Sequence, residues 1–507
     1  MSITYVGGLR LKNRIKSGQV LSLPPASPAS LRLERPSLLG TRADWTVAVG
    51  DSVMAGQLLA SSEDGRIAPL HAPLSGQITA VEDGFVTLEN DHLDRYHPDC
   101  TPFALPLSEA DDDTLLDHLH ACGVTADEAS LSLASRIRAE RGRVHTLLLC
   151  ALDDQPEGGL STLLCEQMTE QVMAGLLLLL RLYGARRAVI VTDERSDTAA
   201  RFHPLLPSGE MISLRPIRAV YPVSHPRHLI LTLFSKEQKA GMELCDTGYA
   251  VYSPDAALAV YDAFVVGLPM IERTVLLAGD CLPRPALIRT PIGTEPAALL
   301  SGHGLTVKQG GVMHEGSGLL TARPLGEEER VGKDTRQLLL ISPARRYGDF
   351  LHRMNTPPEI DSCIGCDDCR TVCPAEIDLP AVLSLIEAGK RERSAEHGIS
   401  FCIGCGLCSY VCPARIDLRG VIAELNRLSV TPMPLTDREQ AEPTSPAAAS
   451  PDESTDESTD DSPEGDALPP TPDADDAEER PRTAAHPRPR RDLPVEGEKK
   501  GEAHDEE

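Results

Sequence analysis

The 507-residue sequence predicts a multidomain α/β protein, and three observations predict it. Residues 20–100 alternate apolar and polar positions in short runs broken by glycine, as a compact β domain does. Residues 104–266 interleave helical periodicity with short apolar runs, as an α/β domain with a buried sheet does. Eight of the 14 cysteines then fall in two matching runs, each followed by helical sequence. The first is Cys363-Ile-Gly-Cys366-Asp-Asp-Cys369-Arg-Thr-Val-Cys373-Pro374, and the second is Cys402-Ile-Gly-Cys405-Gly-Leu-Cys408-Ser-Tyr-Val-Cys412-Pro413.

Within the β region, Thr46-Val-Ala-Val-Gly50-Asp51-Ser-Val53 and Gly56-Gln-Leu-Leu-Ala60 read as strands, followed by Ala68-Pro-Leu-His71-Ala72-Pro73-Leu-Ser75-Gly76-Gln-Ile78-Thr. This pattern resembles the barrel-sandwich hybrid of lipoyl and biotinyl carriers. Carriers modify a lysine at a hairpin tip, and residues 46–79 contain no lysine. The stretch is therefore expected to dock or support, with His71 as a turn residue and not a ligand.

In the α/β region, residues 111–121 and 163–182 are expected helices, and 144–150 and 187–192 expected buried strands. Tyr183-Gly184 reads as a helix C-cap. Residues 256–266 read as a further helix ending at Gly267. Short strands return at 274–279, 286–293 and 310–313.

Each cysteine run reads C-x2-C-x2-C-x3-C-P, the spacing of two-cluster ferredoxins. A cubane cluster needs one thiolate on each of four irons. Three cysteines spaced by two wrap one cube, and the fourth ligates the other. Cys363, Cys366, Cys369 and Cys412 are thus expected to hold one [4Fe–4S] cluster, and Cys373, Cys402, Cys405 and Cys408 the second. Gly365 and Gly404 let the backbone approach the cluster, and Pro374 and Pro413 turn the chain away. Zinc in two C-x2-C pairs would leave four of the eight cysteines idle. The helices expected at 377–391 and 416–428 make this an α-helical ferredoxin module. Cys100, Cys122, Cys150, Cys165, Cys245 and Cys281 are scattered, as buried small hydrophobes are.

The formal net charge is −27, of which residues 431–507 carry −15. An acidic chain with no basic stripe argues against nucleic acid and against direct attraction to anionic lipid. The N-terminus lacks the charged start and apolar core of a signal peptide. The apolar run 172–180 is too short for a membrane span, which takes about 20 residues. A cytoplasmic chain is expected, where thiols stay reduced. The Pro-, Asp-, Glu-, Ser- and Ala-rich residues 431–507 cannot bury enough apolar surface to fold, and read as a disordered acidic tail.

The order of modules over about residues 1–430 resembles the C subunit of the Rnf (or Rsx) electron-transport complex. The specific match is Ala256-Ala-Leu-Ala-Val-Tyr-Asp262, then Gly267-Leu-Pro269-Met-Ile271-Glu272-Arg273-Thr-Val, then Gly279-Asp280, with Ile292-Gly293-Thr294 and Gly310-Gly311-Val-Met313 beyond. The resemblance implies five regions. Residues 1–103 form a barrel-sandwich hybrid, and 104–266 an α/β domain like the flavin subunit of respiratory complex I. Residues 267–345 form a β-grasp domain, 346–430 a dicluster ferredoxin domain, and 431–507 the tail. It also implies a peripheral subunit on the cytoplasmic face of the bacterial inner membrane. The expected partners are membrane subunits of an Rnf-like complex and a ferredoxin-type redox protein.

Family members typically couple electron transfer between NADH and ferredoxin to ion transport, and carry a "GxGGAGFPT" loop. Here that loop reads Cys122-Gly123-Val-Thr-Ala-Asp127-Glu128-Ala, with one glycine and two acids that repel phosphate. "NAAECEP" appears as Cys150-Ala-Leu-Asp153-Asp154-Gln155-Pro156, and "YPxGGEKxLI" as Tyr221-Pro222-Val-Ser224-His225-Pro226-Arg227-His228-Leu229-Ile230. These erosions argue against FMN and NADH.

An electron-relay subunit is therefore the leading expectation, and no catalytic residue is assigned. An NADH-oxidising, FMN-bearing entry subunit and a scaffold or redox sensor are the alternatives. His225 and His228 are expected in a surface turn. Asp153 and Asp154 read either as a cation or ribose site or as a solvated turn.

Overall fold

The computed structural model describes residues 6–430 apart from 13–14, 126–129, 240–241, 309, 345 and 355–362. The tail at 431–507 and the eroded-loop acids Asp127 and Glu128 lie outside the described residues. All described residues fall in one unit, Met1–Met433.

Alternation closes the β module. In Ser30–Glu34, Leu31 and Leu33 are buried while Ser30 and Glu34 face water. This strand, Phe85–Asn90, Gly76–Val81 and Ser52–Val53 form an antiparallel sheet in that order. Asp44–Trp45, Leu58–Ser61 and Leu70–His71 form a second. Residues 46–51, expected as strand, instead make the turn at Gly50, whose φ is 96°. A Cβ on Gly76 would lie 1.9 Å from the Glu89 carbonyl oxygen, so only glycine lets the two paired strands meet there.

The α/β domain holds a parallel sheet ordered Ile212–Ile217, Arg187–Asp193, Thr146–Ala151, Tyr249–Tyr252. Every residue of Thr146–Ala151 is buried, which is why the run is uniformly apolar rather than alternating. The single helix expected at 163–182 is two helices, Leu160–Gln167 and Thr169–Tyr183, bent by 102°. Met168 leaves helical geometry, and the Thr169 hydroxyl donates to the Cys165 carbonyl oxygen at 2.6 Å. The second helix ends at left-handed Gly184, as expected. It packs so closely on Pro254–Tyr261 that a Cβ on Gly175 would sit 1.9 Å from the Ala257 carbonyl oxygen. Among the described residues no single helix is long and apolar enough to cross a membrane.

A six-stranded mixed sheet follows, with Glu272–Ala278 and Gln337–Ile341 parallel at its centre. Its edge strand Leu21–Ser22 comes from the N-terminal segment. Buried Lys333 joins three regions: its Nζ donates to the carbonyl oxygens of Pro69 at 2.7 Å and Gly123 at 2.6 Å. His71 lies beside it. It is a buried strand residue and not the turn residue expected from the flanking prolines and glycine. Burial, then the Lys333 charge, pushes its pKa down to about 3, so it stays neutral.

The cysteine-bearing region repeats one unit. A short helix, Asp368–Val372 or Leu407–Val411, follows each C-x2-C. A longer one, Leu379–Glu387 or Leu418–Val430, follows each Cys-Pro. Ile377, Val382, Leu383, Ile416, Val421 and Ile422 form the core between the two units.

Candidate metal centres and the adjoining pocket

Each cysteine run opens with the same turn. Gly365 and Gly404 adopt φ of 65° and 67°, a left-handed conformation open to glycine. Their amides donate to the Sγ atoms of Cys363 and Cys402, both at 3.4 Å. Burial raises the Cys402 thiol above its ordinary value, and the Gly404 amide works against that rise.

The fold gathers the eight thiols into two groups. Cys369 lies within electrostatic reach of Cys366, Cys363 and Cys412. Cys408 lies within reach of Cys405, Cys402 and Cys373. Each group takes its fourth member from the other run. Burial pushes the Cys369 thiol up to about 11 and the Cys405 thiol up to about 12, and raises Cys408 well above its ordinary value. Converging thiolates in such surroundings need a large compensating positive charge, which an iron–sulfur cluster provides. The donor set therefore fits.

The two groups sit in different surroundings. Cys363 and Cys366 are exposed, in a stretch where only Cys369 is buried. In the second run Gly406, Leu407, Cys408 and Ser409 are all buried. Tyr221 of the α/β domain donates from its hydroxyl to the Cys405 carbonyl oxygen at 2.6 Å. Arg419 donates to the carbonyl oxygens of Leu320 at 3.3 Å and Met354 at 3.1 Å. The Tyr410 ring meets Phe350 edge-on at 5.5 Å.

A cavity of about 200 Å³ opens at the C-terminal edge of Thr146–Ala151, lined by Asp153, Asp154, Ser161, Ser224, Ser253 and Arg336. That edge is where parallel α/β sheets bind ligands. Asp154 is buried rather than in a solvated turn. Its carboxylate accepts from the Ser224 amide at 2.8 Å and hydroxyl at 2.9 Å. Burial pushes its pKa up to about 6. Asp153 is half-buried and accepts from the amides of Ser161 at 3.3 Å and Thr162 at 2.7 Å. The start of Leu160–Gln167 is thus capped by the chain's own carboxylate.

His225 and His228 do not form a surface turn. His225, half-buried, sits at the N-cap position of the helix Pro226–Phe234, and His228 is buried within that helix. His228 lines a cavity of about 440 Å³ shared with Pro374 and Phe401. Of the six scattered cysteines, five are buried and Cys100 is half-buried.

Sequence reasoning did not find Lys333, the Tyr221 contact, or the buried pairing of Asp255 with Arg273 at 2.7 Å and Arg336 at 2.8 Å. Tyr221 stood inside a noted motif. Arg273 also stood inside a noted motif, and nothing local marks Lys333, Asp255 or Arg336.

Residues 6–93 match the family model described as RnfC Barrel sandwich hybrid domain, and residues 358–420 match the 4Fe-4S dicluster domain. The chain is similar to the C subunit of the ion-translocating oxidoreductase complex of Klebsiella pneumoniae (strain 342). The two are 27% identical over 378 residues, covering 71% of this chain and 48% of that protein. The same-named protein of Edwardsiella ictaluri (strain 93-146) is 28% identical over 371 residues, covering 70% and 45%. The chain thus spans about half the length of the curated relatives it matches. Among solved structures, a NAD+-reducing [NiFe]-hydrogenase in the H2-reduced state aligns with a TM-score of 0.43 and 15% identity, covering 66% of this chain and 64% of that one.

Proposed function

We propose that this chain, which is RnfC-like, is the peripheral electron-transfer subunit of a membrane-bound complex that couples electron flow to ion translocation. The observation that carries the reading is the pair of cysteine groups, each completed by the last cysteine of the other run. Cys363, Cys366, Cys369 and Cys412 would hold an outer [4Fe–4S] cluster, and Cys373, Cys402, Cys405 and Cys408 an inner one. When bound, the clusters supply one-electron transfer. The protein's part is to hold them near each other, the inner set packed against the α/β domain and the outer set open to a partner. The partners would be the membrane subunits and a ferredoxin-type redox protein, with this chain on the cytoplasmic face.

Electrons enter from another protein rather than through FMN reduced by NADH. Two features support this. Asp153 occupies the amides at the start of Leu160–Gln167 that would otherwise suit a phosphate. Asp154 adds a second acid to the same cavity.

The test is anaerobic reconstitution with iron, sulfide and FMN, followed by NADH. The expected outcome is about eight irons per chain, no bleaching with NADH, and full bleaching with dithionite. Prompt bleaching with NADH would make this chain the NADH-oxidising entry subunit. A native pulldown that recovers no membrane or redox protein would count against membership in a complex.

A further inference from the structure

The inner thiol group is gripped from both of its cysteine runs by one continuous line of hydrogen bonds. On the first run, the Gly8 amide donates to the carbonyl oxygen of Val372, the residue before Cys373, at 2.9 Å. Leu9 and Tyr221 then exchange backbone bonds at 2.9 and 3.1 Å. On the second run, the Tyr221 hydroxyl donates to the Cys405 carbonyl oxygen at 2.6 Å.

The strap needs its glycines. Gly7 has φ of +59°, and a Cβ there would lie 2.5 Å from the Cys373 carbonyl oxygen. Gly8 has φ of +85°, and its Cβ would lie 2.9 Å from the Tyr221 carbonyl oxygen. Tyr221 is 2% exposed, so its hydroxyl faces little competition from water. Among the described residues no hydrogen bond joins residues 363–368 of the outer group to the α/β domain.

We propose that residues 7–9 and Tyr221 form a clasp that positions the Cys373, Cys402, Cys405 and Cys408 set and tunes its reduction potential separately from the outer set. The clasp rests on the two-cluster reading above. Tyr221 acts through the ligand residue and is a positioning residue. Its O–H dipole points at the peptide of a ligand cysteine. Reduction adds negative charge to the cluster, so a donor there favours the reduced state. Three residues beyond Tyr221, Ser224 is pinned by the buried Asp154 carboxylate. The clasp therefore also ties the inner set to the cavity behind the sheet.

The test uses the full-length reconstituted holoprotein, titrated anaerobically and followed by electron paramagnetic resonance. A wild-type chain showing fewer than two titrating signals overturns the two-cluster reading, and the clasp with it, before any variant is made. Given two signals, Tyr221→Phe is expected to shift the reduction equilibrium of one cluster at least about threefold toward the oxidised form. On this scale tenfold is 59 mV for one electron. Gly7→Ala pushes a methyl group at the Cys373 carbonyl and is expected to shift the same cluster.

Unchanged potentials in both variants, or equal shifts of both clusters, would overturn the proposal. If Tyr221→Phe loses iron, loss of about four irons with the other signal intact supports the clasp, and loss of all eight refutes it.

Discussion

The two cysteine runs share a local grammar and differ in what they face. Cys373-Pro374-Ala375-Glu376-Ile377-Asp378-Leu379 matches Cys412-Pro413-Ala414-Arg415-Ile416-Asp417-Leu418 at every position but one. Glu376 and Arg415, the unmatched pair, adopt the same left-handed turn, with φ of 52° and 60°. Asp378 and Asp417 both accept a backbone amide at the start of the following helix. Earlier in the runs, exposed Asp367-Asp368 stands where buried Gly406-Leu407 stands in the second. A Cβ on Gly406 would lie 3.3 Å from the Leu320 carbonyl oxygen, whereas Asp367 faces water. Spacing and turns thus build both loops, and a few flanking residues decide that one is wrapped by the protein and the other presented to solvent.

The largest test of that difference removes one ligand from each group. Cys408 packs within the core between the two repeats, and Cys366 is exposed. Metal binding is coupled to folding. Cys408→Ser is therefore expected to lose about half the iron and to destabilise the chain by several kcal/mol more than Cys366→Ser. Iron analysis and thermal melting check this. Equal losses of melting temperature would mean that the two surroundings contribute alike.

The exposed acids give the next effect. Asp367 and Asp368 should attract a cationic redox partner to the outer group. Replacing both with lysine is expected to slow oxidation of the dithionite-reduced clusters by hexaammineruthenium(III) about tenfold at low salt. The effect should vanish at high salt, where screening acts over only about 3 Å at 1 M. Stopped-flow oxidation at two salt concentrations decides it. A salt-independent rate would place the point of electron exchange elsewhere.

What could be read from the sequence follows the same division. The cysteine spacing is local, and it made the dicluster module legible from the sequence alone. The strands at 144–150 and 187–192 were legible because a buried parallel sheet writes an uninterrupted apolar run. The bend at Met168 was not, since both halves keep one apolar pattern. His71 and His228 were placed in turns, and Asp154 in either a binding site or a solvated turn, because polar residues usually face water. Their burial depends on partners or neighbours far along the chain, such as Ser224 and Lys333. The edge strand Leu21–Ser22 and the strap at residues 7–9 carry no periodicity at all.

Asp154 lies behind the clasp and gives a smaller, pH-dependent effect. Its pKa is raised from 3.8 to about 6 by burial. The protonated acid is therefore favoured by the fold. The associated stability is present below pH 4 and is lost as pH rises through 6. Asp154→Asn removes this titration. Its melting temperature relative to wild type should improve between pH 5.0 and 7.5, by about 1 kcal/mol of stability. A difference that stays flat with pH would mean that Ser224 and its surroundings hold the carboxylate fully charged.

The smallest effect makes the first run more like the second. Asp367 holds φ of 61°, a conformation that costs an L-residue about 1–2 kcal/mol and glycine almost nothing. Gly406 occupies the matching position at φ of 75°. Because Asp367 is exposed, its replacement leaves no cavity. Asp367→Gly should therefore stabilise the holoprotein by about 0.5–1 kcal/mol, the greater freedom of glycine in the unfolded chain offsetting part of the gain. It should also raise the outer cluster's potential slightly by removing a negative charge beside it. Chemical denaturation and the redox titration read the two effects separately. A destabilised Asp367→Gly would show that the aspartate side chain braces the outer loop, a role the glycine of the buried loop leaves to Tyr221 and the surrounding core.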